Sequence, residues 1–179
     1  MVSADNKLQT KTIYVMKKLF AILCALFALS TASFAQRVRV DVDMGESVTS
    51  AGYQYRIGDI VQVGGELGVV FSVTTDGKHG KILSLVGTDC DWWAAKRWCS
   101  QLGNGWKLPT IHELYAICNK LNIINSTIVA NGYPTMADWY HWSCEESDSE
   151  YAWGVRMSDG DTDDYYKGSS SYVRAVSAF

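Results

Sequence analysis

Four of the five cysteines, the three histidines and one acidic run are the residues of this chain best equipped for chemistry. Cys144 has His141 three residues before it, and a thiol beside an imidazole is where nucleophilic catalysis begins. Such a pair also needs the base within reach and a third group to orient it, and nothing in the spacing marks that group. Cys90, Cys99 and Cys118 are the other thiols of the region beyond residue 35. No CxxC occurs, and His79, His112 and His141 are scattered, so no zinc ligand pattern is present. The run Asp159-Gly160-Asp161-Thr162-Asp163-Asp164 offers the hard oxygen ligands that calcium prefers. An EF-hand loop, however, wants a Glu at its twelfth position, and counted from Asp159 that position is Ser170. The expectation is no metal, no cofactor and no catalysis, with the acids exposed on a hairpin.

Recognition is the chemistry the residue types favour. Between Tyr140 and Tyr172, twenty of the 33 positions are Tyr, Ser, Asp or Gly. Tyrosine gives a large contact area at low entropic cost, and short polar residues adapt their hydrogen bonds to a partner. The same short residues also populate ordinary loops. Interleaved with them is a second set, Trp139, Trp142, Trp153, Val155, Met157, Val173 and Val176, which reads as scaffold. If Trp153, Val155 and Met157 face a core, then Gly154, Arg156 and Ser158 face outward, because neighbouring side chains on a strand alternate. The candidate ligand-binding residues fall in three groups. Tyr140, His141, Asp148, Ser149, Glu150 and Tyr151 come first. Gly154, Arg156, Ser158, Asp161, Asp163 and Asp164 follow. Tyr165, Tyr166, Ser169, Ser170, Ser171 and Tyr172 complete the set.

The elements that must hold this display are legible upstream. Ile57–Val63, Leu67–Thr74 and Lys81–Val86 are β-branched runs separated by Gly64-Gly65 and Asp76-Gly77, the pattern of an antiparallel unit. A helix follows, capped by Asp89 or Asp91, with Trp92, Ala95, Cys99 and Leu102 on one face. After Gly103 and Gly105, Trp106 and Pro109 lead into a second helix. Thr110 and Glu113 form a T-x-x-E capping box there, and Ile111, Leu114, Cys118 and Leu121 share a face. Cys99 and Cys118 both point inward on this reading and are the first disulfide to test, against the alternative of two small core thiols. A loop with a short helical piece near Ser126–Ala130 leads to strands near Trp139–Ser143, Tyr151–Met157 and Tyr172–Ala178, with Asp159-Gly160 as a hairpin turn. Strands, two helices, then strands make an α+β domain with a small antiparallel sheet and a loop-rich C-terminal half.

Charge and leader bound the setting. Lys17-Lys18, the apolar Leu19–Leu29 and Ser33-Phe34-Ala35 form a signal peptide that starts at Met16 and is cut after Ala35, so residues 1–35 are upstream extension plus leader. The apolar run is too short to span a bilayer, which takes about 20 residues. Residues 36–54 read as a linker or edge strand, and 55–179 as the domain: strands over 55–90, helices over 91–121, display region over 138–179. Residues 36–137 are charge-balanced; residues 138–179 hold nine acids and three bases and so carry the whole mature excess of −6. That sign disfavours nucleic acid and anionic membrane as partners. The product is expected to be secreted, or on the outer surface or in the periplasm, and not inserted in a membrane.

One set of motifs, in order, resembles a family. WWAAKRWCSQLGNGWKLPTIHEL, then WYHWSCEE, AWGVRMSDG and YVRAVSAF is similar to exported bacterial domains of the C-type-lectin-like fold, of the Lcl C-terminal kind. The pattern is W-[KR]-L-P-T, W-S-x-x-E, A-W-x-V and V-R-A-V. The resemblance implies a compact lectin-like fold whose C-terminal half contacts ligand. It also implies scaffold roles for Trp106, Pro109, Thr110, Glu113, Trp142, Glu145, Trp153 and Arg174, with Glu145 and Arg174 as candidate partners of each other. The lectin-type calcium and sugar motifs Glu-Pro-Asn and Trp-Asn-Asp are absent. Some members are variable proteins of diversity-generating retroelements, in which adenines of a C-terminal coding repeat are rewritten. Adenine changes in an AAY codon turn Asn into Tyr, Ser, Asp or Gly, among others, and no Asn occurs after Asn131. The implied function is ligand binding, to a protein or glycan on a cell, phage or host surface. The alternatives are an enzyme like the formylglycine-generating enzymes, which share the fold and use Cys, or a structural subunit of an adhesin or pilus.

Overall fold

The computed structural model describes residues 54–179 and the backbone of a strand over Val40–Val42. The expected leader, residues 1–35, lies outside the described residues. Of the expected linker or edge strand over 36–54, Val40–Val42 is a strand, β1, and pairs in parallel with β2.

β2 (Ile60–Val63), β3 (Glu66–Val73) and β4 (Gly80–Ser84) are the three β-branched runs. They pair antiparallel, with Gly64 and Gly65 alone between β2 and β3. After β5 (Thr88–Cys90) the chain enters α1 (Trp92–Gln101), where Asp91 Oδ1 accepts the Ala94 amide at 2.8 Å. Thr110 and Glu113 close the capping box of α2 (Ile111–Cys118). A third helix, α3 (Leu121–Ala130), replaces the expected loop with a short helical piece. Its Ile124 and Ile128 are buried in a core, and packing overrides their modest helix propensity. Thr127 donates its hydroxyl to the Gly58 carbonyl at 3.1 Å and joins this helix to the strands.

The C-terminal half forms β6 (Tyr140–Glu146), β7 (Tyr151–Arg156), β8 (Thr162–Tyr166), β9 (Ser171–Val173) and β10 (Val176–Ala178). The one small sheet expected is two five-stranded sheets, ordered β1-β2-β3-β4-β10 and β5-β9-β6-β7-β8. The expected strand Tyr172–Ala178 splits between them: β9 joins the second sheet, and β10 crosses to pair Val176 with Leu83 of the first. Both sheets are mainly antiparallel, and with the helices they make an α+β fold.

Two buried clusters fill the interior. Trp92, Ala95, Cys99, Trp106 and Trp142 centre the first. Phe71, Leu114, Ile117, Ile124, Ile128, Val155 and Met157 centre the second. β7 contributes to both, Ala152 to one and Val155 to the other, so neither face of its middle is free. The described residues contain no helix long and apolar enough to cross a membrane.

Candidate functional site: the β6–β9 face

Lys167 anchors the region from within. Its side chain is buried among acceptors: Nζ lies 2.5 Å from Glu146 Oε2 and donates to the Asp148 and Ser149 carbonyls at 2.7 and 2.9 Å. The ammonium also stands 5.1 Å from the centre of the Trp92 ring, and the Lys167 carbonyl accepts the Trp92 amide. One buried cation thus ties the β6–β7 loop to the end of β8 and to the start of α1. Sequence reading missed it. The only signal was a lone Lys in an acid-rich stretch, and its partner lies 21 residues away.

Arg156 organises the other end of the β7–β8 hairpin. Its guanidinium grips Asp159 through two bonds of 2.9 and 2.7 Å and reaches Asp161 at 3.2 Å. It lies 5.3 Å from the Tyr140 ring centre, and the Tyr140 hydroxyl donates to Asp161 Oδ2 at 2.7 Å. The Asp161 carboxylate pushes the Tyr140 hydroxyl above its ordinary range, and the Arg156 bond holds Asp159 below its own. Gly160, at φ +81°, makes the turn that brings these groups together, a backbone setting that costs glycine little.

Of the expected display residues, Asp148, Ser149, Glu150, Tyr151, Ser158 and Asp163 are exposed, as are Tyr166, Ser169, Ser170 and Tyr172. Asp161 is exposed too, but already holds Arg156 and Tyr140. Arg156, Asp164, Tyr165 and Ser171 are half-buried: Tyr165 packs on Tyr140 and Trp142, and the Ser171 hydroxyl bonds the Tyr140 carbonyl.

Three residues are the reverse of what was expected. Tyr140, His141 and Gly154 are buried, because β6 and β7 lie inside the sheet and both their faces are covered. A Cβ on Gly154 would sit 3.2 Å from the His141 carbonyl oxygen and 3.6 Å from Tyr140 Cβ. His141 stacks on Tyr172 at 5.5 Å, and its Nδ1 lies 3.1 Å from the Trp139 carbonyl. Burial pushes its pKa down to about 4, so it is neutral, with Nδ1 carrying the proton toward that carbonyl. The opposite correction applies to two expected scaffold residues. Trp139 is 58% exposed, since it precedes β6 and leans edge-on against Tyr140 instead of entering a cluster. Trp153 is only half-buried.

The remaining structural residues divide in the same way. Trp106 is buried and donates Nε1 to the Val63 carbonyl at 3.2 Å. Trp142 is buried and donates to the Cys90 carbonyl at 3.0 Å. The Pro109 carbonyl accepts the Cys144 amide at 2.7 Å. Burial works to raise the Glu113 pKa. The Lys81 ammonium at 2.8 Å and the Thr110 amide outweigh it, so the carboxyl ends below its ordinary value.

Glu145 and Arg174 are not partners of each other. Glu145 Oε1 accepts the Ile111 amide at 2.9 Å, at the α2 N-terminus, where a carboxylate suits the helix dipole. Arg174 donates to the carbonyls of Ser84, Leu85 and Pro134, and burial pulls its pKa down to about 10. The buried guanidinium is compensated by backbone oxygens, which sequence cannot reveal.

Among the described residues Cys90, Cys99, Cys118 and Cys144 are free thiols. Cys99 lies in the Trp92 cluster and Cys118 against the Phe71 cluster, so the expected Cys99–Cys118 bridge does not form. The helices pack against different cores rather than face to face. The Cys118 thiol donates to the Met157 carbonyl at 3.4 Å. It lines an open groove of about 530 Å³ with Leu121, Ile123 and Asp159. Burial raises the Cys144 pKa, with Glu145 and Glu113 adding to the effect, so the thiolate that nucleophilic chemistry requires is disfavoured. Among the described residues no group of His, Cys, Asp and Glu is placed to hold a metal ion.

Comparison with known proteins fits this architecture to a family. No curated protein matches the chain. Among solved structures, the crystal structure of botrocetin is similar with a TM-score of 0.37 at 14% identity, over 54% of this chain and 90% of that one. The family model of the Lcl C-terminal domain matches residues 72–177, which include the second helix with its Trp106–Thr110 lead and the whole β6–β9 face. That match covers more than half of the sequence, and the chain belongs to the Lcl C-terminal domain family.

Proposed function

We propose that this chain is an exported recognition module of C-type-lectin-like fold that binds a protein or glycan on a cell, phage or host surface. It catalyses no reaction and needs no cofactor in this reading. Its site of action is outside the cytoplasm, secreted or held at the outer surface or in the periplasm. One observation carries the proposal: Arg156, Lys167 and Arg174, the cations of residues 138–179, are each held by acceptors of the fold itself, while Tyr151, Tyr166 and Tyr172 stand exposed among short polar side chains. A rigid support under exposed tyrosine and serine is the composition of adaptable binding surfaces. Pre-organisation of this kind lowers the entropic cost of binding.

Retroelement diversification of the coding repeat is part of the proposal, confined to outward positions. Tyr140, His141 and Gly154 are packed and would not tolerate free exchange. The test of ligand binding is an array of glycans and cell-surface proteins probed with the mature domain. Binding that is lost in a Tyr151→Ala, Tyr166→Ala, Tyr172→Ala triple variant supports this face; unchanged binding would overturn it. For diversification the readout is the coding DNA. A nearby near-copy of the repeat, mismatched only at adenines, supports it, and the absence of any such copy refutes it.

A further inference from the structure

Among the described residues, the outer edge of β8 leaves both backbone hydrogen-bonding capacity and charge unused. β8 is the last strand of its sheet. The Lys167 amide donates to the Glu150 carbonyl and the Arg156 amide to the Asp161 carbonyl, each at 2.8 Å. Residues 161, 163, 165 and 167 therefore turn their backbone groups toward β7. By antiparallel alternation the N–H and C=O groups of Thr162, Asp164 and Tyr166 point to the outer edge. Among the described residues no strand pairs there. Two of these groups are held locally: the Asp164 amide by the Asp163 carboxylate at 3.0 Å, and the Tyr166 carbonyl by the Ser169 amide at 2.8 Å. Among the described residues nothing takes the others, which leaves them for an incoming strand.

Charge says which strand. Arg156, Lys167 and Arg174 are the cations of residues 138–179, and each is engaged internally. Asp163 and Asp164 on the strand, and Asp148 and Glu150 at its far end, have no cationic partner among the described residues. A second copy of this edge would set like charges against each other, which is how edge strands resist self-association. A basic strand would meet complementary charge instead. Tyr151 and Tyr166, 39% and 51% exposed and packed edge-to-face at 6.1 Å, add aromatic surface beside the edge for cationic heads.

We propose that β8 accepts an extended lysine- or arginine-bearing segment of a protein partner by strand addition. The inference rests on the ligand-binding reading of this face and narrows the ligand to a basic peptide segment. The probes are a short peptide alternating lysine with valine or threonine and the same peptide with glutamate for lysine. The readouts are fluorescence anisotropy and amide hydrogen exchange on the folded domain. The lysine peptide is expected to bind, to protect the Thr162 and Tyr166 amides, and to weaken with salt. The glutamate peptide is expected not to bind. Asp163→Asn/Asp164→Asn is expected to weaken the lysine peptide about tenfold, and Asp163→Lys/Asp164→Lys to abolish binding, with unchanged thermal unfolding confirming the fold. Failure of the lysine peptide to bind overturns the inference, as does binding without protection of those amides. Array binding without peptide binding would leave the recognition function standing and remove strand addition alone. Silence in both would remove both.

Discussion

The Lys167 ammonium lies 2.5 Å from the Glu146 carboxylate, yet only the glutamate reaches water: the lysine side chain is 2% exposed and the glutamate 52%. The lysine is therefore less a surface ion-pair member than a buried donor that collects three acceptors.

Lys167→Met is expected to cost about 2 kcal/mol, because it leaves the Asp148 and Ser149 carbonyls without their donor. Glu146→Gln should cost less than about 1 kcal/mol, the range of a solvent-exposed pair. Chemical denaturation of both variants tests the order. Hydrogen exchange should show residues 147–151 losing protection in Lys167→Met. Equal costs would mean that the ion pair, not the carbonyl cage, holds the loop.

His141 makes stability depend on pH. Its folded pKa, about 4, lies below the ordinary histidine value, so the unfolded chain binds more protons between the two. Stability from this group is fully present above about pH 6.5 and is lost as pH falls toward 4, on the order of 3 kcal/mol in all. Asn retains a donor at the Nδ1 position but does not titrate. Melting curves of His141→Asn should be nearly flat between about pH 6.5 and 5.5, where the unmodified protein loses stability and the carboxylates do not yet titrate. A parallel slope in both proteins would show that some other group titrates.

The legible parts of the sequence were those set by local physics. The glycine pair between β2 and β3, the Asp91 cap and the Thr110–Glu113 box each follow from neighbours a few residues apart. What stayed hidden was decided at long range. β8 reads TDDYY, poor in apolar residues and rich in aspartate, which strands avoid; it forms because β7 offers it a partner. Alternation along β7 suggested an inside and an outside, but its middle has two insides, so Gly154 could not be placed from periodicity alone. Arg174 and Lys167 bury charge against carbonyl oxygens, and a carbonyl carries no sequence signature.

The thiols should react in an order set by burial. Cys99 is fully buried and its pKa is pushed up to about 12, so it should resist alkylation until the domain unfolds. Cys118, at the mouth of the groove, should be modified earlier. Timed alkylation read by peptide mass spectrometry gives the order. A Cys99–Cys118 crosslinked peptide under native oxidising conditions would contradict the separation of the two cores.

The division between support and display predicts where substitutions are tolerated. Ser169 and Ser170 are exposed and their side chains touch nothing the fold depends on. Ser169→Tyr and Ser170→Asp should stay within about 0.5 kcal/mol of the starting stability. Gly154 is confined by the His141 carbonyl oxygen, 3.2 Å from where an added methyl would sit, and by Tyr140 beyond it. Gly154→Ala asks both strands to give by a few tenths of an ångström and should cost about 1–3 kcal/mol, as overpacking does. Gly154→Tyr has nowhere to go and should prevent folding. Denaturant titration of the four variants decides the matter. If Gly154→Tyr folds as stably as Ser169→Tyr, position 154 belongs to the displayed surface, and the inward-facing assignment of β7 is wrong.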